Sequence, residues 1–484
     1  STQGYSSAAS DVYKRQEKDL LGQRQVPAEA YYGIETLRGK ENFEITKRGI
    51  CRQMIKALAI VKKAAAKANV DALNIDEKVG KAIMLACDEI LNGRLHGQFV
   101  TDLIQGGAGT SMNMNANEVI ANRANELLGG KKGVYDFVHP NDHVNFGQST
   151  NDVIQTAGKI AIVKQLKKLQ VELKKLYNAY LNKATEFKDV IKMGRTHLQE
   201  ALPLRLGQEF SAYASALNRD MKRIDVAIEA LLEVNMGATA IGTSLNANEK
   251  YRKKVIYYLN KFSGEQIKPA KDLIDATRNF DTFGQASSTL KLLALNLSKT
   301  ASDLRLMASS GSNGFSEITL PHVQPGSSIM PGKYNPVVPE MVNQVCFYVI
   351  GLDVTITKAI EAGQLELNVF GPIILMSLFE QITTLRRATR TFHNLAISGL
   401  IANTTKYKTD NSIYLITALS PHLGHEEACN VVNEAISSEK TIKQVLLDHH
   451  ILSEEIINMV LDESNMTNPG IALENILKEK KEQE

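Results

Sequence analysis

The chain has 484 residues, of which 43% are hydrophobic and 23% are charged. This composition is typical of a folded globular protein and excludes a disordered or collagen-like chain. Its 56 basic and 53 acidic residues give a formal net charge of +3, so no overall field draws it to nucleic acid or an anionic membrane. The four cysteines lie far apart without CxxC spacing, which favours reduced core thiols in a cytoplasmic protein over disulfides or a zinc site.

Residues 1–16 have no initiator Met and no apolar core of a signal peptide, so we predict a disordered or non-native leader. The length allows about three further domains at roughly 150 residues each. We predict an N-terminal helical domain (residues 17–145), a central long-helix bundle domain (146–403) and a small C-terminal helical domain (404–484). The most apolar stretch, residues 367–379, is too short to span a bilayer, which argues against a membrane protein.

Long segments without proline run through the middle of the chain and predict helices of more than average length. Apolar residues recur along two of these segments at alternating steps of four and three, which predicts a buried face on each helix. The two sets are Ile162, Leu166, Leu169, Leu173 and Leu176, and Leu290, Leu293, Leu297, Ala301 and Leu304. Because strand-type alternation is scarce, we predict an all-α fold whose apolar helix faces also pack between subunits.

Four segments depart from the helical pattern because they combine Gly with Ser, Thr, Asn and His, which offer amides and hydroxyls to an anion. In chain order they are QGGAGTSMNMNANE (residues 105–118), HPNDHVNFGQSTND (139–152), GRTHLQE (194–200) and PGSSIMPGKYNPVVPE (325–340). Each segment has an ordinary structural explanation when it is taken alone.

The first two segments each precede a predicted helix. Thr110 or Ser111 can cap one helix after a glycine turn, and Ser149 and Thr150 stand at the start of the next. Hydroxyls combined with the positive end of a helix dipole suit a carboxylate. A plain capping role explains both segments equally well at this point.

The third segment places Thr196 and His197 where a helix is expected to break before Pro203. A lone histidine is more often structural than catalytic unless it has a partner, and Glu340 is a candidate for that partner. In the fourth segment glycines bracket two serines, which permits a mobile loop, with Lys333 as its fixed positive charge. A loop rich in Ser, Gly and Pro is otherwise most often a linker.

Together the four segments resemble the signature motifs of the class II fumarase and aspartase superfamily. GSSIMPGKxNP is long and specific, and GGAGTSxNMNxNE, NDHVNxxQSTND and GRTHLQ occur in the order and spacing of that family. The resemblance covers nearly the whole chain after residue 16. It implies three helical domains, with a central long-helix bundle that assembles into a tetrameric helical core, and active sites that each draw residues from three subunits of the homotetramer.

Further stretches resemble the ammonia-lyase branch of the superfamily rather than its fumarase branch. They are DLLGQRQVPAEAYYGIETLRGKENFEI, LLEVNMGATAIGTSLN and the VVPE directly after the loop. This resemblance implies reversible elimination of ammonia from L-aspartate to give fumarate. Glu200 stands where the family usually has Asp, Tyr334 stands where it usually has Val, and residues 311–316 differ from the usual run, so the resemblance does not define fine substrate preference or loop kinetics.

The resemblance also implies individual roles. Ser327 is the base that removes the proton beside the side-chain carboxylate, His197 and Lys333 complete the catalytic set, and Glu340 supports His197. The implied substrate-binding residues are Thr110, Ser149, Thr150 and Ser328 around the carboxylate that becomes an enediolate, Thr196 and Asn335 at the other end of the substrate, and Asn151 at the amino group. No organic cofactor or metal is implied, although magnesium activates some members.

Two other functions stay open from the sequence. A class II fumarate hydratase would use the same loop on malate, and a non-catalytic structural member, as among lens crystallins, would keep only the fold. Retention of Ser327, Lys333, Asn335 and His197 argues against the structural role. The partners expected for the main function are therefore aspartate, fumarate and further copies of this chain.

Overall fold

The computed structural model describes residues 13–311, 314–326, 329–404 and 412–475. The chain divides into two compact units, here called unit 1 and unit 2. Unit 1 contains the described residues up to Val171 together with Asp220–Leu295 and Val345–Arg387, and unit 2 contains Glu172–Arg219, Asn296–Gln344 and the described residues from Ala388 onward. The domain borders near residues 145 and 403 stay predictions.

Helices dominate the described residues. Those of unit 1 are α1 (Ile34–Asn42), α2 (Arg52–Asp71), α3 (Glu77–Leu91), α4 (Thr110–Leu127), α7 (Glu249–Ser263) and α8 (Leu273–Arg278). Those of unit 2 are α12 (Ile416–Leu423), α13 (His425–Ser438), α14 (Ile442–Asp448), α15 (Glu454–Val460) and α16 (Glu463–Thr467). The helices with residues in both units are α5 (Thr150–Glu186), α6 (Leu206–Leu231), α9 (Asp281–Met307), α10 (Val337–Glu361) and α11 (Gly371–Phe392).

Strands are short and pair only two by two within the described ranges. Antiparallel pairs are β1 (Lys14–Asp19) with β2 (Gly22–Pro27), β3 (Ile191–Thr196) with β4 (Gln199–Arg205), and β7 (Ile318–Thr319) with β8 (Ile401–Ala402). The strands β5 (Glu233–Val234) and β6 (Lys268–Pro269) pair in parallel. The predicted all-α fold is confirmed, with small hairpins added to a helical framework.

The apolar periodicity identified in the sequence does mark the buried faces of α5 and α9. In α5, the residues Ile162, Leu166, Leu169, Leu173 and Leu176 are each at most 1% exposed. In α9, the residues Leu290, Leu293, Leu297, Ala301 and Leu304 are each at most 3% exposed. Burying each Leu or Ile side chain contributes roughly 1.5–3 kcal/mol, so these stripes hold their helices in place.

The leader predicted over residues 1–16 includes three residues that form part of a strand. Lys14, Arg15 and Gln16 belong to β1, which pairs with β2. The Arg15 guanidinium donates hydrogen bonds to the carbonyl oxygens of Pro27, Ala30 and Tyr32. These bonds order the strand without requiring apolar residues, which explains why the composition of the segment did not reveal it. Residues 1–12 lie outside the described part.

The cysteines are free thiols, as predicted. Cys87 and Cys346 are buried and Cys51 is partly buried, but Cys429 is exposed, so its assignment to the core was wrong. Within the described residues, α10 is long and apolar enough to span a membrane by length and composition. Helices of soluble proteins pass the same test, so this finding is weak evidence for a membrane span.

Candidate functional site

A tight glycine turn leads into α4. Gly109 has a φ of +97°, and a Cβ there would lie 3.2 Å from the side chain of Ile154 in α5, so this close approach favours glycine. Thr110 is the first residue of α4, and its hydroxyl donates to the carbonyl oxygen of Gly107 at 2.7 Å. The N-cap position is Gly109, without a side-chain cap. Thr110 is therefore no cap, and its exposed side chain lies at a helix end that favours anions.

The start of α5 does have a side-chain cap. The Ser149 Oγ accepts a hydrogen bond from the N–H of Asn151 at 3.2 Å, and the Ser149 N–H donates to the carboxylate of Asp152 at 2.9 Å. This reciprocal arrangement is a variant of the capping box, with Asp in the place of Glu and with the serine oxygen bonded one residue earlier, at N2. Capping occupies only the oxygen of Ser149, so its O–H can still donate to an anion.

Asp152 lies fully buried beneath this helix start, with 0% of its surface exposed. Its second oxygen accepts hydrogen bonds from the N–H groups of Gly237 at 3.1 Å and Thr239 at 3.0 Å. Burial raises the pKa of Asp152 to about 6, although backbone N–H groups and the charge of Lys62 act in the opposite direction. The carboxylate is therefore mostly ionised at neutral pH and fixes the first turn of α5 to the loop after β5.

Thr150 and Asn151 are the next two residues of α5. The Thr150 Oγ1 accepts a hydrogen bond from Asn113 Nδ2 of α4 at 3.4 Å. The Asn151 Nδ2 donates to the carbonyl oxygen of Ala240 at 2.6 Å, which orients the amide and leaves its Oδ1 as an acceptor suited to an ammonium group. A cavity of about 770 Å³ at this end of α5 is bordered by residues that include Asn145, Gln148, Ser149, Thr150 and Thr239.

Thr196 and His197 lie at the tip of the β3–β4 hairpin, and the helix break predicted there is wrong. Thr196 pairs with Gln199, so His197 and Leu198 form a two-residue turn. Both have positive φ values, 54° and 62°, in a turn that normally takes Asn or Gly because larger L-residues are strained there. The hairpin therefore exposes an imidazole at its tip at a conformational cost.

The base of this hairpin is held by charged side chains. Arg195 forms an ion pair with Glu317 and stacks on the ring of Phe315, with its guanidinium carbon 4.2 Å from the ring centroid. Lys192 lies 2.7 Å from the other oxygen of Glu317 and 3.1 Å from Glu209. Glu317 and Lys192 are each 3% exposed, so the network is buried. It fixes the hairpin that presents His197.

Ser327 and Ser328 lie outside the described residues, whereas the chain on either side of them is described. The Gly326 N–H donates to the Lys333 carbonyl oxygen at 3.0 Å, and Asn335 Nδ2 donates to the Gly326 carbonyl oxygen at 2.9 Å. A Cβ on residue 326 would lie 2.3 Å from the Lys333 oxygen, so this closure requires glycine. The two arms of the serine loop, residues 321–336, are thereby joined.

A second cavity, of about 370 Å³, lies along the serine loop in unit 2. Its lining includes Lys333 and Asn335 together with His322 and Tyr334. The rings of His322 and Tyr334 stack across the two arms of the loop, with centroids 3.7 Å apart and planes 5° apart. Lys333 gives this cavity a positive charge, which suits a small anion.

Glu340 lies in the first turn of α10. The histidines that form ion pairs in the described part of the chain are His139 and His449, so His197 has no such contact with Glu340 there. The support of His197 by Glu340 stays a prediction. Unit 1 thus carries Thr110, Ser149, Thr150 and Asn151, and unit 2 carries Thr196, His197, Lys333, Asn335 and Glu340.

Several supporting residues were not singled out from the sequence: Asn113, Asp152 and Lys62 in unit 1, and Glu317 in unit 2. Asn113 and Asp152 stand inside the quoted polar segments, and the Ser-x-x-Asp spacing at the start of α5 is a signal that could have identified Asp152. Lys62 and Glu317 have no comparable signal, because only burial distinguishes them from surface charges. No group of three or more His, Cys, Asp or Glu that could hold a metal was found among the described residues.

Comparison with known proteins identifies the family to which the chain belongs. A family model described as lyase matches residues 22–351, and one described as fumarase C C-terminus matches residues 415–468. The curated protein named aspartate ammonia-lyase from Bacillus subtilis is 51% identical over 465 residues, which cover 96% of this chain and 98% of that protein.

Two solved structures have the same fold. A fumarate lyase:delta crystallin from Brucella melitensis, bound to cobalt, has a TM-score of 0.92 at 44% identity and covers 94% of this chain and 100% of its own. A class II fumarase from Schistosoma mansoni also has a TM-score of 0.92, at 34% identity, with coverage of 94% and 100%. The family match over residues 22–351 and the fold shared with these structures define a lyase. More specifically, the chain belongs to the fumarase/aspartase superfamily, as its motifs predicted.

Proposed function

We propose that this protein is a carbon–nitrogen lyase that eliminates ammonia from L-aspartate to give fumarate, and that it also catalyses the reverse addition. The observation that carries the proposal is the 51% identity, over nearly the full length of both chains, to the Bacillus subtilis protein named aspartate ammonia-lyase. The class II fumarase found by structural comparison is 34% identical, so malate dehydration is the second candidate.

The chemical difficulty is the proton on the carbon beside the side-chain carboxylate. Its removal converts that carboxylate into a doubly negative enediolate, so donors aimed at the carboxylate provide the main stabilisation. Thr110 and Thr150 are the first residues of α4 and α5, where the positive ends of the helix dipoles add to the hydroxyl groups. We assign Ser149 and Ser328 to the same carboxylate.

The site must also bind the second carboxylate and the ammonium group of the substrate, which requires a positive charge and a hydrogen-bond acceptor. Lys333, Asn335 and Thr196 are assigned to the second carboxylate, although Asn335 Nδ2 donates to Gly326 in this structure and must then share or exchange that bond. The Asn151 Oδ1 accepts from the substrate ammonium. The amine leaves as neutral ammonia from its ammonium form, so departure of the amine requires no further proton donor.

Ser327 is proposed as the base. A serine hydroxyl is normally neutral near pH 7, so it must be activated by the positive charge of Lys333 and by exclusion of water when substrate is bound. His197, on its strained turn, is assigned to the catalytic set, with Glu340 as its support. Because these two residues do not meet in the described chain, the pair is proposed to form between subunits.

We propose a homotetramer with active sites shared between subunits. Large apolar side chains are exposed on the long helices, including Phe347 and Val354 of α10 at 62% and 58% and Leu295 of α9 at 47%. Such surfaces are typical of helices that pack against a further subunit. Size-exclusion chromatography with light scattering tests the oligomer, and a monomer with full activity would contradict it.

We further propose that the reaction takes place in the cytoplasm and needs no organic cofactor or metal, with magnesium acting as an activator at most. Dialysis against a chelator should leave most of the activity, and added magnesium should then restore any loss. Activity that disappears entirely on chelation and returns only with metal would contradict this part of the proposal.

The activity test follows fumarate by its ultraviolet absorbance. Purified protein is given aspartate in one reaction and malate in another at equal concentrations. Fumarate from aspartate supports the proposal, fumarate from malate alone favours the hydratase, and fumarate from neither favours a structural member of the superfamily. The reverse direction, with fumarate and ammonium salts, should consume fumarate at a rate that depends on ammonium.

A further inference from the structure

Lys62 is a charged residue in an apolar position. It lies in α2, and 0% of its surface is exposed. Its ammonium group donates to two neutral amide oxygens, Asn145 Oδ1 at 2.8 Å and Gln148 Oε1 at 3.0 Å. Burying a cation costs several kcal/mol even when it is well hydrogen-bonded. A Met side chain would fill the same space without this desolvation cost, so the presence of a lysine here requires a reason.

The two amides lead from Lys62 to the proposed carboxylate site. Asn145 Oδ1 accepts a second hydrogen bond from Asn113 Nδ2 at 3.2 Å. The same Asn113 nitrogen donates to Thr150 Oγ1 at 3.4 Å. Asn145, Gln148 and Thr150 all border the cavity at the start of α5. A continuous chain of hydrogen bonds thus connects a fully buried cation to a hydroxyl that faces the cavity.

Two contacts orient the Asn145 amide at the head of this chain: its Oδ1 accepts from Lys62 at 2.8 Å, and its Nδ2 donates to the Gln148 carbonyl oxygen at 3.3 Å. Asn145 turns its oxygen toward Lys62, whose amine nitrogen donates to it both as an ammonium and as a neutral amine. That oxygen then requires a donor from Asn113, whose NH₂ group has two hydrogens, one for Asn145 and one for Thr150. Because the Thr150 oxygen accepts this second hydrogen, the Thr150 O–H must donate in another direction, and Thr150 borders the cavity.

We infer that Lys62 is a positioning residue, which acts through Asn145 and Asn113 to hold the Thr150 hydroxyl as a donor toward the substrate carboxylate. This inference rests on the proposed function, because it assumes that Thr150 binds the carboxylate that becomes an enediolate. With Met at position 62, Asn145 Oδ1 loses its short bond to Lys62, and the amide keeps only the 3.3 Å bond from its Nδ2 to the Gln148 carbonyl oxygen, so its oxygen is held less firmly against Asn113. The Thr150 hydroxyl then loses its fixed direction.

The test is a double-mutant cycle with Lys62→Met and Thr150→Val in the full-length protein. Each single variant should lower kcat/KM by about 100-fold, the usual effect of one donor lost from an oxyanion site. The double variant should be little worse than either single variant, because both changes remove the same donor. Losses that multiply would mean that Lys62 acts independently of Thr150, and they would overturn the inference.

A matched control is Lys159→Met. Lys159 is also buried, 4% exposed, and donates to a backbone oxygen, that of Glu233 at 2.7 Å, but it has no bond to the chain that ends at Thr150. Its replacement should change kcat/KM less than about threefold. KM and kcat are recorded separately, because a simple loss of folded enzyme lowers the apparent kcat and leaves KM unchanged. Lys62→Met should raise KM as well.

If Lys62→Met does not fold, Asn113→Leu removes the middle of the chain and leaves the lysine in place. It should match Thr150→Val in kcat/KM, and near wild-type activity would overturn the inference. The wild type is assayed first, so that a failure of the proposed function is recognised separately. Should wild-type protein make no fumarate from aspartate, the same cycle is evaluated from the Kd for fumarate by calorimetry, where multiplicative losses again overturn it.

Discussion

The start of α5 in unit 1 and the serine loop in unit 2 support their polar groups in different ways. Asp152 and Lys62 beneath α5 are both 0% exposed, and between them they fix Ser149, Thr150 and the loop after β5. Around the serine loop, Lys333 and Tyr334 are exposed, and the order comes from contacts that join its two arms. The groups assigned to the substrate carboxylate thus rest on buried charges, whereas the described residues of the serine loop are exposed and are held by contacts between its two arms.

Ser327→Ala, in the serine loop, is expected to have the largest effect of the substitutions in the two regions. Without its base the protein should keep its fold and oligomeric state but lose about 1,000-fold or more in kcat, with little change in KM. Steady-state kinetics on aspartate, together with circular dichroism and light scattering, provide the measurement. Near-normal turnover in this variant would remove Ser327 from the role of base.

Glu317→Gln should break the support of the hairpin. The change leaves Lys192 and Arg195 without their shared carboxylate in a buried position, which costs about 3 kcal/mol of stability, and kcat/KM should fall as His197 loses its placement. Thermal unfolding and kinetics measure both effects. The matched control is Glu361→Gln, at an exposed ion pair with Lys358, where less than about 1 kcal/mol is expected. Equal losses from both variants would show that the buried network has no special role.

Lys62 should make stability depend on pH. Burial lowers its pKa to about 7 from the ordinary 10.5, so above pH 7 the unfolded chain binds more protons than the folded one. The free energy of unfolding therefore rises with pH between about 7 and 10, by up to about 1.4 kcal/mol per pH unit. Below pH 7 both states carry the proton and the effect disappears.

The measurement compares urea unfolding of wild type and Lys62→Met at pH 7, 8 and 9. The difference in unfolding free energy should move in favour of the wild type as pH rises, because the variant has no amine to deprotonate. A difference that stays constant over this range would mean that Lys62 keeps an ordinary pKa in the folded protein.

Tyr334→Val should have the smallest effect. It restores the residue usual in the family and removes the stacking on His322, which is worth about 1 kcal/mol, so we expect a change in kcat/KM of a few-fold. His322→Ala should have the same effect, and the double variant should add nothing if the stack is responsible. Independent effects of the two changes would assign the role to each side chain separately.

The sequence allowed the fold to be predicted because its apolar spacing is regular and its long helices have no proline beyond their first turn. The helix starts at Thr110 and Thr150 could be predicted, because glycines and capping residues next to them act locally. The β3–β4 hairpin could not be predicted, because such a turn is normally recognised by Asn or Gly, and here it is formed by His197 and Leu198. Lys62 and Glu317 could not be found either, since their roles depend on burial and on partners that are remote in the chain.

The turn at His197 and Leu198 also suggests a way to stabilise the protein. Both residues hold a left-handed backbone that glycine adopts without strain, but only His197 is assigned a chemical role. Leu198→Gly should relieve about 1 kcal/mol of the strain in this hairpin, offset in part by the greater freedom of glycine in the unfolded chain. Leu198→Gly is therefore expected to raise the thermal stability of the protein while leaving the neighbouring His197 imidazole unchanged.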